Sequence, residues 1–187
     1  MPDARRRDLY AAFADLLSYP RGQVAAAAAR AQALAGARGE AGTALARFTA
    51  AVGAHDGTWL EELYTSTFDL APACAPYVGH QLFGDSPIRG PFLAKLAEVF
   101  AAGGFQPREE LGDHVAEVLR FAAQAPPAPA LDELLRDGLV PALEKMIASL
   151  EEPRNPYREV LAALLALLAL LGRGSADAAR AAQEVAT

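Results

Sequence analysis

The sequence predicts an all-α fold, a single-domain globular helical bundle of about eight to ten helices spanning residues 1–187. Three observations predict it. Apolar residues recur at helical spacing in most segments, as at Leu9, Phe13, Leu16 and Leu17, and again at Leu60, Leu63, Tyr64, Thr67 and Phe68. No stretch shows the alternation of valine, isoleucine and threonine that a half-buried strand requires. Outside the middle of the chain, alanine, leucine and arginine predominate, and all three favour helices.

Taken in order, the first helix carries Leu9 to Leu17 inward, with Asp3 as its candidate cap and Tyr19-Pro20 as its end. Gln23 to Leu34 is nearly pure alanine, a helix that either packs closely or lies on the surface. The third helix presents Leu45, Phe48 and Val52 and stops near Gly53. Thr58 and Glu61 fit a capping box for the next, which runs through Phe68. Pro72 and Pro76 interrupt regular helix, so Asp69 to Ala75 is a loop or broken turn, followed by a short helix from Tyr77 to Phe83. Pro91 suits the first position of a helix with Phe92, Leu93, Leu96, Val99 and Phe100 inward, ended by Gly103-Gly104. Asp113 is expected to cap a helix with Val115, Val118, Leu119 and Ala122 inward, which leaves His114 at the border between core and water.

A proline-rich linker over residues 125–130 divides this middle from the carboxyl-terminal helices. Leu131 to Arg136 and Leu139 to Leu150 read as two segments broken at Asp137-Gly138 and Pro141. After Glu151 to Pro156, the leucine-rich helix from Tyr157 to Leu171 is apolar nearly all round and is expected to be central. From Ser175 the chain is a weak helix or a frayed tail.

Composition excludes several classes. Apolar residues make up 52% of the chain and charged residues 21%, too apolar for a disordered polymer. A net charge of −6 and only two lysines, Lys95 and Lys145, argue against a nucleic-acid surface. Arg5-Arg6-Arg7 is followed by an amphipathic segment with Asp8 and Asp15, not by the unbroken apolar run of an export signal. Val160 to Leu171 is too short to span a bilayer. A lone cysteine, Cys74, cannot close an intramolecular disulfide, so the expectation is a cytoplasmic protein without stable membrane association.

Catalytic constellations are few. Cys74, His80 and His114 match no standard zinc spacing, and neither lysine follows a glycine-rich phosphate loop. Glu61-Glu62, Glu109-Glu110 and Glu151-Glu152 are sequence neighbours that diverge on helices. No enzyme activity, cofactor or metal is therefore called for. A binding groove remains, with Tyr64, Phe68, Tyr77 and Phe83 as apolar walls and Asp69, His80, Asp85, Asp113 and His114 as its polar groups. Against it stands a purely structural role for the same residues: Tyr64 and Phe68 in a core stripe, Asp85 in its turn, Asp113 as a cap.

The order Tyr64, Thr67-Phe68-Asp69, Pro72, Cys74, Pro76-Tyr77, Gly79-His80-Gln81-Leu82-Phe83-Gly84-Asp85, Arg89-Gly90, Gly103-Gly104-Phe105, Asp113-His114 and Leu119-Arg120-Phe121 resembles the TorD/DmsD/NarJ family of molybdoenzyme maturation chaperones. The pattern is more similar to the NarJ-like, nitrate reductase delta-subunit branch. The resemblance implies a cytoplasmic chaperone that binds the amino-terminal leader and apo form of a molybdopterin-dependent catalytic subunit. It would assist cofactor insertion, assembly and export proofreading. It also implies that Asp113-His114 and the segment from Tyr64 to Asp85, Pro72 included, take part in leader binding; the carboxylates suit a leader's arginines. The resemblance implies that the leader is often a twin-arginine export signal, although clients in this branch can carry rudimentary leaders, so a functional signal is not assumed. The rivals are a helical scaffold or regulator that binds a folded partner, and a thiol or metal hydrolase using Cys74 and His80. Self-association is left open, since helices joined by stiff linkers can exchange between copies.

Overall fold

The computed structural model describes residues 3–36, 39–70, 74–150 and 155–185, with side chains described through residue 172. Ten α-helices are found among them: α1 (Asp3–Leu16), α2 (Val24–Ala35), α3 (Glu40–Val52), α4 (Gly57–Tyr64), α5 (Val78–Phe83), α6 (Arg89–Ala102), α7 (Val115–Gln124), α8 (Pro129–Glu133), α9 (Val140–Ser149) and α10 (Tyr157–Val185). The fold is all-α. The one extended pairing among the described residues is an isolated antiparallel bridge between Tyr77 and His114.

The helices pack in a connected path. α7 lies on α1, α1 on α2, α2 on α3, α3 on α10, α10 on α9, α9 on α5 and α5 on α6. The alanine-rich α2 packs closely, because Ala27, Ala28 and Ala31 are buried and their small side chains let α1 and α3 approach on either side. In α1 and the turn that ends it, the predicted stripe Leu9, Phe13, Leu16 and Leu17 is fully buried. The first half of α10 is central, with Val160, Leu161, Ala163 and Leu164 inaccessible, whereas Leu170 is exposed. Each large side chain taken out of water here contributes roughly 1.5–3 kcal/mol. One apolar cluster joins residues from α1 through α10.

Two stretches widen into π-helical turns. At Thr65–Asp69 the Leu70 N–H reaches back five residues to the Thr65 carbonyl, at 2.9 Å. The Ser66 and Thr67 hydroxyls both donate to the Leu63 carbonyl, at 3.0 and 2.6 Å, and compete with the backbone ladder there. The second lies at Leu134–Leu139, where the Val140 N–H bonds the Leu135 carbonyl. It corrects the expected break at Asp137-Gly138. Pro141 has no N–H and its ring would crowd the carbonyl four residues back, so the chain widens by one residue and remains helical from Pro129 to Ser149.

Other corrections are local. The α4 cap is Asp56, whose carboxylate accepts from the Trp59 N–H at 2.9 Å, rather than the Thr58 and Glu61 box. The linker is shorter than 125–130, since Pro129 already occupies the first turn of α8. Helix α6 begins at Arg89, two residues before Pro91, and ends as expected at Gly103 and Gly104, the latter at φ +67°. Helix α10 continues without interruption to Val185. Part of the expected loop from Asp69 to Ala75, including Pro72, and the run Glu151 to Arg154 lie outside the described residues.

Candidate functional site

The signature residues separate into three places. Tyr64 and Phe68 are core, 3% and 2% exposed, which corrects their assignment as walls of an open groove. They meet Tyr157 edge-on in an aromatic cluster whose ring centroids lie 4.9–5.9 Å apart. The Tyr64 hydroxyl donates to the Leu17 carbonyl at 3.3 Å, which ties this cluster to the end of α1. Asp69, at the close of the first π turn, is exposed at one edge, and what burial it has raises its carboxyl above the usual range.

The second place is a buried clasp where α5, α6 and α7 begin. Asp113 does not cap α7; His114 does, its Nδ1 accepting from the Ala116 N–H at 3.1 Å. Nor is His114 at the border of the core, for it is 2% exposed. Burial, reinforced by the Arg120 charge, lowers its pKa to about 4. The neutral ring is the form whose Nδ1 can accept that hydrogen bond. Asp113 is inaccessible. Its Oδ2 accepts from the Gly79 N–H in the first turn of α5 at 3.1 Å and from Arg89 Nη2 at the start of α6 at 3.3 Å. Its backbone carbonyl accepts from the Val78 N–H at 2.7 Å, and the Val115 N–H donates to the Pro76 carbonyl at 2.8 Å.

Tyr77 covers the outside of the clasp. Its ring meets that of His114 edge-on at 5.2 Å, and the Arg89 guanidinium lies 5.9 Å from its centroid. The hydroxyl donates to Glu110 Oε2 at 2.9 Å. Burial and that carboxylate push the phenol up to about 12. Gly79 is required here: a Cβ would lie 2.8 Å from Asp113 Oδ2 and 3.0 Å from the Phe92 ring. His80 is half-buried on α5, and Asp85 is exposed in the turn after it. Further along α7, the inaccessible Glu117 pairs with Arg120, which donates to Ser18 Oγ at 2.6 Å and so fastens α7 to α1.

The third place is an apolar groove between α6 and the segment formed by the linker, α8 and the second π turn. Two adjoining cavities, of about 410 and 310 Å³, share Lys95, Val99 and Ala130. Phe83, Phe92, Leu96 and Leu134 line one section; Phe121 and Leu131 line the other. Lys95, Glu98, Glu133 and Asp137 stand along the rim. Of the described candidate residues only Phe83 belongs to it, in contact with Phe92 at 5.4 Å between ring centroids. Sequence reasoning placed Phe92, Leu93 and Val99 in the core, yet all three are only half-buried. A signal was present: α6 carries five large apolar residues, more than one face of a short helix can bury, while the linker opposite contributes only alanine and proline over residues 125–130.

Cys74 is buried against the Met146 carbonyl, with its Sγ 3.8 Å away, and burial pushes the thiol up to about 11. No group of histidine, cysteine and carboxylate side chains among the described residues is arranged to hold a metal. No described helix is long and apolar enough to cross a membrane.

An all-helical body with an open apolar groove edged by charged side chains has the form of a module that binds an apolar segment of a partner. The family description "nitrate reductase delta subunit" matches residues 31–163, a span that contains both clasp and groove, and the chain belongs to that family of NarJ/TorD-type molybdoenzyme maturation chaperones. The family is one of chaperones and not of catalysts. No curated protein sequence matches the chain.

Proposed function

We propose that this protein is a cytoplasmic, non-catalytic chaperone that binds the amino-terminal leader and apo form of a molybdopterin-dependent, nitrate reductase-like catalytic subunit. It holds the client until the cofactor is inserted and holds back premature assembly or export. The observation that carries the reading is the groove along α6, whose two adjoining sections and apolar walls suit an amphipathic segment better than a small molecule. The leader's apolar side chains would lie against Phe92, Leu96, Val99 and Leu134. On the rim Glu98 pairs with Lys95 at 2.9 Å and Asp137 with Arg136 at 2.7 Å, and the exposed Glu133 adds an acidic group that favours a basic residue in the leader.

A thiol enzyme is disfavoured on a specific observation. With its thiol near 11 and its sulfur buried, Cys74 has almost no thiolate at neutral pH. The proposed function is tested by producing the client catalytic subunit with and without this protein and measuring molybdenum in the purified client. The expected result is a several-fold lower metal content without the chaperone. Equal content in both preparations would contradict the reading.

A further inference from the structure

We infer that Arg89 and Asp113 are positioning residues: the pair ties the start of α6 to the start of α7 and so sets the width of the groove, without either side chain touching the client. The consequence for client binding rests on the proposed function, whereas the tether itself does not.

The resemblance would have Asp113 meet a leader's arginine directly. Its surroundings oppose that. The carboxylate is inaccessible, and its Oδ2 already accepts from the Gly79 N–H and from Arg89. The space beside Oδ2 is taken, since even a methyl group at Gly79 would collide with it and with Phe92, while Oδ1 is buried without a hydrogen-bond partner among the described residues. An incoming guanidinium would have to displace Arg89 from Oδ2, and the Tyr77 ring lies against the Arg89 guanidinium, 5.9 Å from its centroid. What Asp113 holds is internal: one oxygen joins the first turn of α5 to the first residue of α6.

Helix α6 packs chiefly on α5, so its position against the opposite wall depends on how its ends are held. At one end is the Arg89–Asp113 pair. At the other, Phe100 meets Phe105 and Phe121 with ring centroids 4.9 and 4.7 Å away. Between those ends Phe92, Lys95, Leu96 and Val99 face the groove. The opposite wall has anchors of its own in the buried Leu131, Leu135 and Leu139, besides the contact of its π turn with α5. Removing the tether therefore frees one wall and leaves the other in place. Arg89 reaches the carboxylate with a single nitrogen, a contact that a lysine can replace as a point charge.

The test has two arms on the full-length protein. In the first, hydrogen exchange is followed in wild type, Asp113→Asn, Arg89→Ala and Arg89→Lys. Faster exchange confined to α5 and α6 in Asp113→Asn and Arg89→Ala, with near-normal exchange in Arg89→Lys, is expected. Unchanged exchange in α6 would overturn the inference whether or not any leader binds. In the second arm, calorimetry uses a synthetic peptide of the catalytic subunit's amino terminus and a copy with every arginine and lysine replaced by alanine. Asp113→Asn and Arg89→Ala should each weaken both peptides by about tenfold, the double variant no further than the worse single, and Arg89→Lys should restore most of the loss. A loss from Asp113→Asn that disappears with the uncharged peptide would overturn the inference, because it would show that Asp113 reads the peptide's charge. If wild type binds neither peptide while α6 still loosens in the variants, the proposed function fails and the exchange result still supports the tether.

Discussion

At the scale of single residues, His114 shows how burial fixes a protonation state. Its folded pKa of about 4 lies below the ordinary 6.5, so between those values the unfolded chain takes up a proton that the folded chain refuses. The contribution to stability is therefore complete above pH 6.5 and declines as pH falls toward 4. Each unit of pH in that window is worth at most about 1.4 kcal/mol, so stability should drop by about 2 kcal/mol between pH 7 and pH 5 on this account. Urea unfolding of wild type and His114→Asn at the two pH values checks it. Asparagine can also cap α7, and its variant should lack this part of the pH dependence. An equal drop in both proteins would show that other groups are responsible.

At the scale of elements, α2 makes the claim most open to a single substitution. Ala28 is inaccessible where α2 packs between α1 and α3. Ala28→Leu should destabilise the fold by about 1–3 kcal/mol through overpacking, read as a lower urea midpoint. The same change at the exposed Ala29 should be nearly neutral. Most helices could be read from the sequence because each carries a long apolar stripe with proline or glycine at its end, as in α1, α3 and α6. The exceptions were decided by contacts the local pattern does not contain. Asp56 displaced Thr58 as a cap because helix α4 begins one turn earlier than its apolar stripe. The break foreseen near Pro141 became a π turn, since a buried, packed segment can absorb a proline by widening where an isolated one would end.

At the scale of the whole molecule, the family match covers the region where the sequence concentrates its unusual residues, but the structure divides their labour. Tyr64 and Phe68 build core; Asp113 and His114 build a clasp; of the described candidates, Phe83 alone lines the groove. The sequence shows which residues are chemically conspicuous, and a buried carboxylate is as conspicuous as an exposed one. The groove was harder to read because its walls are ordinary leucine, valine and phenylalanine. Only the spacing between α6 and α8, which is a tertiary property, leaves them partly open. The most direct measurement is calorimetric titration of the amino-terminal peptide of the molybdoenzyme catalytic subunit into wild type and Val99→Asp. Val99 lines both sections of the groove and is only half-buried, so the variant should keep its helical circular dichroism. The account predicts saturable binding to wild type and at least about tenfold weaker binding to the variant, since a charge would then face the leader's apolar side chains. Equal affinity for both proteins would contradict it and place the client elsewhere on the surface.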